Sequence, residues 1–150
     1  MFKGLGRSRR ARWLAAIPVS ALGLAGDAAP PPPAAAVTTL MQRDLADLPG
    51  KEALLLTVEY PPAGASLPHR HQADVFVYVL GGEVVMQIAS QQPRTLGPGA
   101  TFYEGTADVH VRSANASATA PAKMLVFMVK DKGRPVSLPV GPPPAGGELR

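Results

Sequence analysis

Residues 51–60, KEALLLTVEY, place Leu54, Leu56, Val58 and Tyr60 on one side of an extended chain and Leu55, Thr57 and Glu59 on the other. Successive side chains of a strand point to opposite faces, so this period of two predicts a half-buried β-strand. Residues 83–88 resume the alternation through Val84, Met86 and Ile88, after a turn marked by Gly81 and Gly82. Residues 75–80 and 123–129 are apolar at nearly every position, which predicts central strands covered on both faces. Phe76, Phe102 and Phe127 are accordingly assigned to the core, and Tyr78 and Tyr103 to packing positions with wet hydroxyls. Short strands are expected over residues 101–104, after the turn at Pro98 and Gly99, and over residues 110–113. The only helical signal is a turn or two over residues 44–48. Short strands punctuated by glycine and proline argue for an all-β fold, a small antiparallel barrel or sandwich without internal repeats.

The ends of the 150-residue chain read differently. Lys3, Arg7, Arg9, Arg10 and Arg12 open it, residues 13–26 carry no charge, and Gly26, Asp27 and Ala28 supply a small-residue cleavage site. A basic start, a short apolar run and small residues make a secretory signal over residues 1–28. Ser8, Arg9 and Arg10 also open like a twin-arginine signal, with Arg12 at a position usually apolar. A periplasmic or secreted location is expected, by the general or the twin-arginine route. The uncharged run falls short of the roughly 20 residues that span a bilayer, so no stable membrane span is expected after cleavage. Residues 29–37 read as an extended Pro/Ala-rich linker. Nine of the last eighteen residues are proline or glycine, so residues 137–150 are expected to be a disordered tail and residues 38–136 the folded domain.

Cleavage changes the charge picture. The whole chain is +4, but the signal holds five of fifteen basic residues and one of eleven acids. Ten of each remain, and the neutral remainder offers nothing for nucleic acid or an anionic membrane. There is no cysteine, so the core must hold the fold without disulfides.

The chain has three histidines, and His69 and His71 stand two apart just before the apolar run at residue 75. On a strand, positions i and i+2 share a face, so both rings can reach one ion while Arg70 points away. His110 lies 39 residues beyond His71, behind a glycine turn and a short strand.

These residues and their setting resemble the cupin family. Gly64, His69, His71 and Gly82 match its first motif; Gly99, His110 and Asn115 match its second. The likeness covers about residues 50–130, and all three histidines fall on the family's histidine positions. It implies a single-domain cupin barrel, an antiparallel jelly roll, with a divalent transition metal (Fe, Mn, Ni or Zn) bound by His69, His71 and His110. Three departures accompany it. Four residues instead of five separate Gly64 from His69, and the second motif's Pro-x-Gly turn reads Gly105, Thr106, Ala107. The family's first-motif glutamate position holds Val75. Asp74 is adjacent, but strand alternation turns it to the opposite face from His71. Glu104 shares the inward phase of Phe102, where a carboxylate needs a cation or a hydrogen-bonding partner. Glu104 is therefore a candidate fourth ligand or general base; solvent exposure or pairing with Arg94 or Arg112 is the alternative.

Asn115 reads as a loop former, and Met86, Met124 and Met128 as core residues that can also face a ligand cavity. The resemblance implies a small-molecule substrate and metal-dependent chemistry of a dioxygenase or isomerase type; the fold alone does not choose between them. A non-catalytic ligand- or metal-binding module of the cell envelope is the other reading. The family's habit of pairing exposed barrel edges across a two-fold axis implies a homodimer.

Overall fold

A computed structural model describes residues 30–141 of the chain. The expected signal, residues 1–28, and the tail from residue 142 onward lie outside the described residues. Eleven strands follow in order: β1 (Ala36–Asp44), β2 (Lys51–Tyr60), β3 (Ala65–Ser66), β4 (His69–Arg70), β5 (Ala73–Gly81), β6 (Val84–Ile88), β7 (Arg94–Leu96), β8 (Thr101–Glu104), β9 (His110–Asn115), β10 (Ala122–Asp131) and β11 (Leu138–Pro139). They form two sheets, β1-β2-β10-β5-β8 and β11-β4-β9-β6-β7, with β3 paired to β9. Every pairing is antiparallel. The all-β barrel expected from the alternation is the fold observed.

The sheets face each other through the inward phase of each strand. Leu54, Leu56 and Tyr60 on β2, Val75, Val77 and Val79 on β5, and Met124, Val126 and Met128 on β10 come from the first sheet. Val84, Met86, Ile88 and Leu96 come from the second. Fully burying a side chain of this size contributes about 1.5–3 kcal/mol, so the alternation read from the sequence is the main source of cohesion.

Four expectations are corrected. Residues 44–48 form no helix: β1 runs to Asp44, and one turn closed by the Leu48 amide donating to the Leu45 carbonyl (3.2 Å) leads into β2. No helix occurs among the described residues, and so none long and apolar enough to cross a membrane. β5 and β10 are covered on one face only; Phe76 is 48% and Phe127 40% exposed, whereas Phe102 is buried as expected. Aromatic side chains suit either face of a pleated strand, so an apolar run does not by itself report double coverage. Order also extends beyond both expected boundaries. β1 begins at Ala36, the Pro33 carbonyl accepts from the Ala65 amide (3.0 Å), and β11 pairs with β4.

Two glycines hold tight corners. Gly82 has φ +70°, and a side chain there would press on the Pro121 carbonyl and on Ala122. Gly64 sits against Pro61 and the Pro33 carbonyl with no room for a Cβ. Asn115 keeps the adjoining loop in place. Its amide nitrogen donates to the carbonyls of Pro61 (3.0 Å) and Ala120 (2.7 Å), and its oxygen accepts from the Ser117 amide (2.9 Å).

Candidate metal centre

β4 is only two residues long, and His69 pairs in register with His110 of β9. His71 follows β4 directly and turns its ring to the same side, with ring centroids 4.9 Å from His69; the His69 and His110 centroids are 5.1 Å apart. One ligand nitrogen from each ring lies within 4.8 Å of the other two. His69 and His71 share a face, as their spacing predicts, and His110 joins them, as the resemblance implies.

The tautomers of two rings are set by backbone carbonyls. His69 Nδ1 lies 2.7 Å from the Leu67 oxygen, and His71 Nδ1 lies 2.5 Å from the Val136 oxygen. A carbonyl only accepts, so each Nδ1 carries a proton, which in the neutral ring leaves the lone pair on Nε2. Burial also lowers the His69 pKa, favouring the neutral imidazole that binds metal. His110 is 2% exposed, and neither of its ring nitrogens has a hydrogen-bond partner. A buried nitrogen without a partner is costly, and an ion facing it would supply one. On the chemistry of the donors and on this unpartnered ring, the residues fit a divalent ion.

Glu104 lies beside this group. It lies inward on β8, 3% exposed, directly across from Val75 in the register of β5 and β8. Glu104 thus faces, across the strand pair, the position at which the resemblance leads one to expect a carboxylate. Its Oε2 is 3.0 Å from His110 Nδ1 and 3.8 Å from His71 Nε2. The shorter distance is that of a hydrogen bond, but the atom lies off the ring nitrogen's axis, so the pair is an electrostatic contact. Burial pushes the Glu104 pKa up; the neighbouring His110, then His71 and His69, outweigh this and leave it below the ordinary value. Neither Arg94 nor Arg112 pairs with it. Asp74 points outward as expected and accepts from the Tyr103 hydroxyl (2.7 Å).

Above the four side chains opens a cavity of about 570 Å³. Leu56, Val58, Met86, Met124 and Met128 line it, so the methionines do face a ligand space. Two features escape a reading of the sequence. The Val136 carbonyl orients His71, and no side-chain pattern can announce a backbone acceptor in a Pro/Gly-rich segment. The Tyr60 hydroxyl bonds Ser66 Oγ (2.7 Å) and Ser113 Oγ (2.6 Å) within the cavity wall. Tyr60 is the one hydroxyl-bearing residue in the inward phase of β2, a signal that could have found it.

The cupin domain family matches residues 56–128, a span bracketing all three histidines and Glu104. The chain carries a cupin domain over these residues. No curated protein matches it. Among solved structures, this cupin resembles an oxalate oxidase in complex with the substrate analogue glycolate, at 26% identity and TM-score 0.55, covering 79% of this chain and 61% of that one. It resembles TT1209 from Thermus thermophilus at 25% identity and TM-score 0.52, covering 64% and 83%. It also resembles the DMSP lyase DddQ from Ruegeria pomeroyi DSS-3 at 22% identity and TM-score 0.53, covering 64% and 45%, a likeness of fold alone. The cupin thus spans about half of the lyase and under two thirds of the oxidase.

Proposed function

We propose that this chain is an exported single-domain cupin that holds one divalent transition ion (Fe, Mn, Ni or Zn) through His69, His71 and His110, with Glu104 as the fourth group. It acts on a small organic molecule in dioxygenase- or isomerase-like chemistry. The observation that carries this reading is the convergence of three imidazoles and one buried carboxylate at the head of a cavity. A bound ion of this kind polarises a carbonyl or enol oxygen, or brings oxygen and an electron-rich substrate together. Glu104, ionised beside His110, is placed to take a proton from a molecule in the cavity or to ligate. The apolar walls exclude water and orient that molecule.

The basic start and apolar run of residues 1–28 support export. Pairing of two copies is supported by the outer face of the first sheet, where Phe76, Tyr78, Leu80, Tyr103 and Phe127 are 40–51% exposed. At about half of the 150–250 Å² an aromatic side chain can bury, the four aromatic residues alone offer about 300–500 Å² of the roughly 800 Å² per partner of a standard interface.

Metal analysis of the purified chain, of His71→Ala and of Glu104→Ala tests the site. About one ion per chain is expected for wild type, with a clear loss in His71→Ala; equal content in the two would end the reading. If Glu104→Ala loses metal, the residue is a ligand. If it keeps metal but loses turnover, it is a base. Oxygen uptake and isomer formation with enol, diketone and catechol-like substrates then separate catalysis from binding alone.

A further inference from the structure

We infer that the cavity is built for a mainly apolar small molecule bearing one weakly acidic oxygen function, such as a 1,3-diketone, enol or phenol, and against dianions such as oxalate or a sugar phosphate. The inference rests on the proposed metal reading and gives it a substrate class.

Three observations carry it. First, among the described residues the cavity wall contains no lysine or arginine; its charged or titratable groups are Glu104, the three histidines and Tyr60. A carboxylate or phosphate lying along the wall would lose its hydration without a cationic partner. Second, the charges at the head of the cavity leave room for one anionic oxygen. Three neutral imidazoles, one carboxylate and a divalent ion sum to a single positive charge. One enolate or phenolate oxygen neutralises it, whereas a dianion leaves an excess negative charge beside Glu104 in a low-dielectric space. Third, the polar side chains on the remaining wall are neutral hydroxyls. The Tyr60 hydroxyl lies between Ser66 Oγ and Ser113 Oγ, and Ser113 in turn donates to Met86 Sδ (3.4 Å). Burial raises the Tyr60 pKa, so the cluster stays neutral; its three O–H groups are taken up by these three bonds, and its remaining lone pairs can accept from a hydroxyl of the bound molecule. Between the two polar ends, Leu56, Val77, Val126 and the unbranched Met124 and Met128 accept an apolar body. The volume falls within the roughly 300–1,000 Å³ typical of small-molecule sites.

The test is calorimetric titration of the metal-loaded full chain with an alkyl-substituted 1,3-diketone, an alkyl catechol, oxalate and glucose 6-phosphate. The first two are expected to bind at least tenfold more tightly than the last two. Val58→Arg places a cation on the cavity wall at a half-buried position and is expected to narrow or reverse that ratio. Equal or tighter binding of oxalate or the sugar phosphate by wild type overturns the inference, as does an unchanged ratio in a folded, metal-containing Val58→Arg. The metal-free chain is run in parallel by thermal shift, where the alkyl catechol is expected to raise the melting temperature through the apolar wall alone. No shift with the metal-free chain and no preference with the loaded one also overturns it. Metal content is measured on the same samples. A chain that takes up no ion sinks the proposed function, while the metal-free arm still decides the apolar character of the cavity.

Discussion

Val75 and Glu104 face each other across β5 and β8, so one of the two strands supplies the carboxylate and the other a small apolar filler. Opposed Cβ atoms in such a pair are about 4.5–5.5 Å apart, near enough for a carboxylate on either strand to serve the same ring nitrogens. The expected outcome of Glu104→Ala is a loss of metal affinity of about 10–100-fold, measured by chelator competition. The double variant Val75→Glu with Glu104→Val is expected to recover most of it, because charge and volume are preserved within the pair. A double variant as weak as Glu104→Ala would show that the position on β8 itself matters. At this scale the sequence was informative: two histidines at i and i+2, and a glutamate in phase with Phe102, are side-chain patterns. The partners that orient them are not, because the carbonyls of Leu67 and Val136 belong to the backbone.

Strand-level features account for how the centre is held. β11 adds two residues to the edge of β4, and just before it the Val136 carbonyl fixes His71. The turn leading to this strap is itself anchored by a buried ion pair, Lys130 with Glu52, whose lysine also donates to the Arg134 carbonyl (2.5 Å). Glu52 further accepts from Gln42 (2.5 Å) and from the Gly133 amide (3.2 Å). Ending the chain after residue 135 is expected to leave the barrel folded by circular dichroism but to weaken metal binding by at least tenfold, read by the same competition. The Lys130 ammonium, then Gln42, hold the Glu52 carboxyl at about 2, below its ordinary 4.5. A carboxylate depressed in the folded state stabilises it fully above the unfolded value, and that contribution fades as pH falls from 4.5 toward 2. Melting temperatures of wild type and Glu52→Gln should therefore differ at pH 7 and converge across that acid window. A gap independent of pH would assign the effect to packing. At the β5–β6 corner, Gly82→Ala is expected to cost about 1–3 kcal/mol by urea denaturation, from a positive φ and a crowded Cβ. The sequence disclosed strands with a side-chain period and missed β1 and β11, which are held in place chiefly by backbone pairing.

For the whole molecule, the two faces of the first sheet have different chemistry. The inner face closes over the cavity, and the outer face leaves Phe76, Tyr103 and Phe127 in one cluster, with centroids 5.2 and 6.2 Å from Phe76. In the sequence this face was indistinguishable from core, because apolar residues at consecutive positions do not say what covers the second side. Light scattering is expected to give a dimer for wild type and a monomer for Phe76→Lys with Phe127→Glu, with metal content unchanged in both. A monomeric wild type would remove the dimer from the reading and leave the centre intact.

The strap also sets an order of events during synthesis. The ribosome releases His69 and His71 well before residue 136, so for a long stretch of translation the pair exists without the carbonyl that aims one of its rings. His71 is aimed only once residue 136 has emerged, so the three rings take up their shared arrangement after both histidine segments have been made.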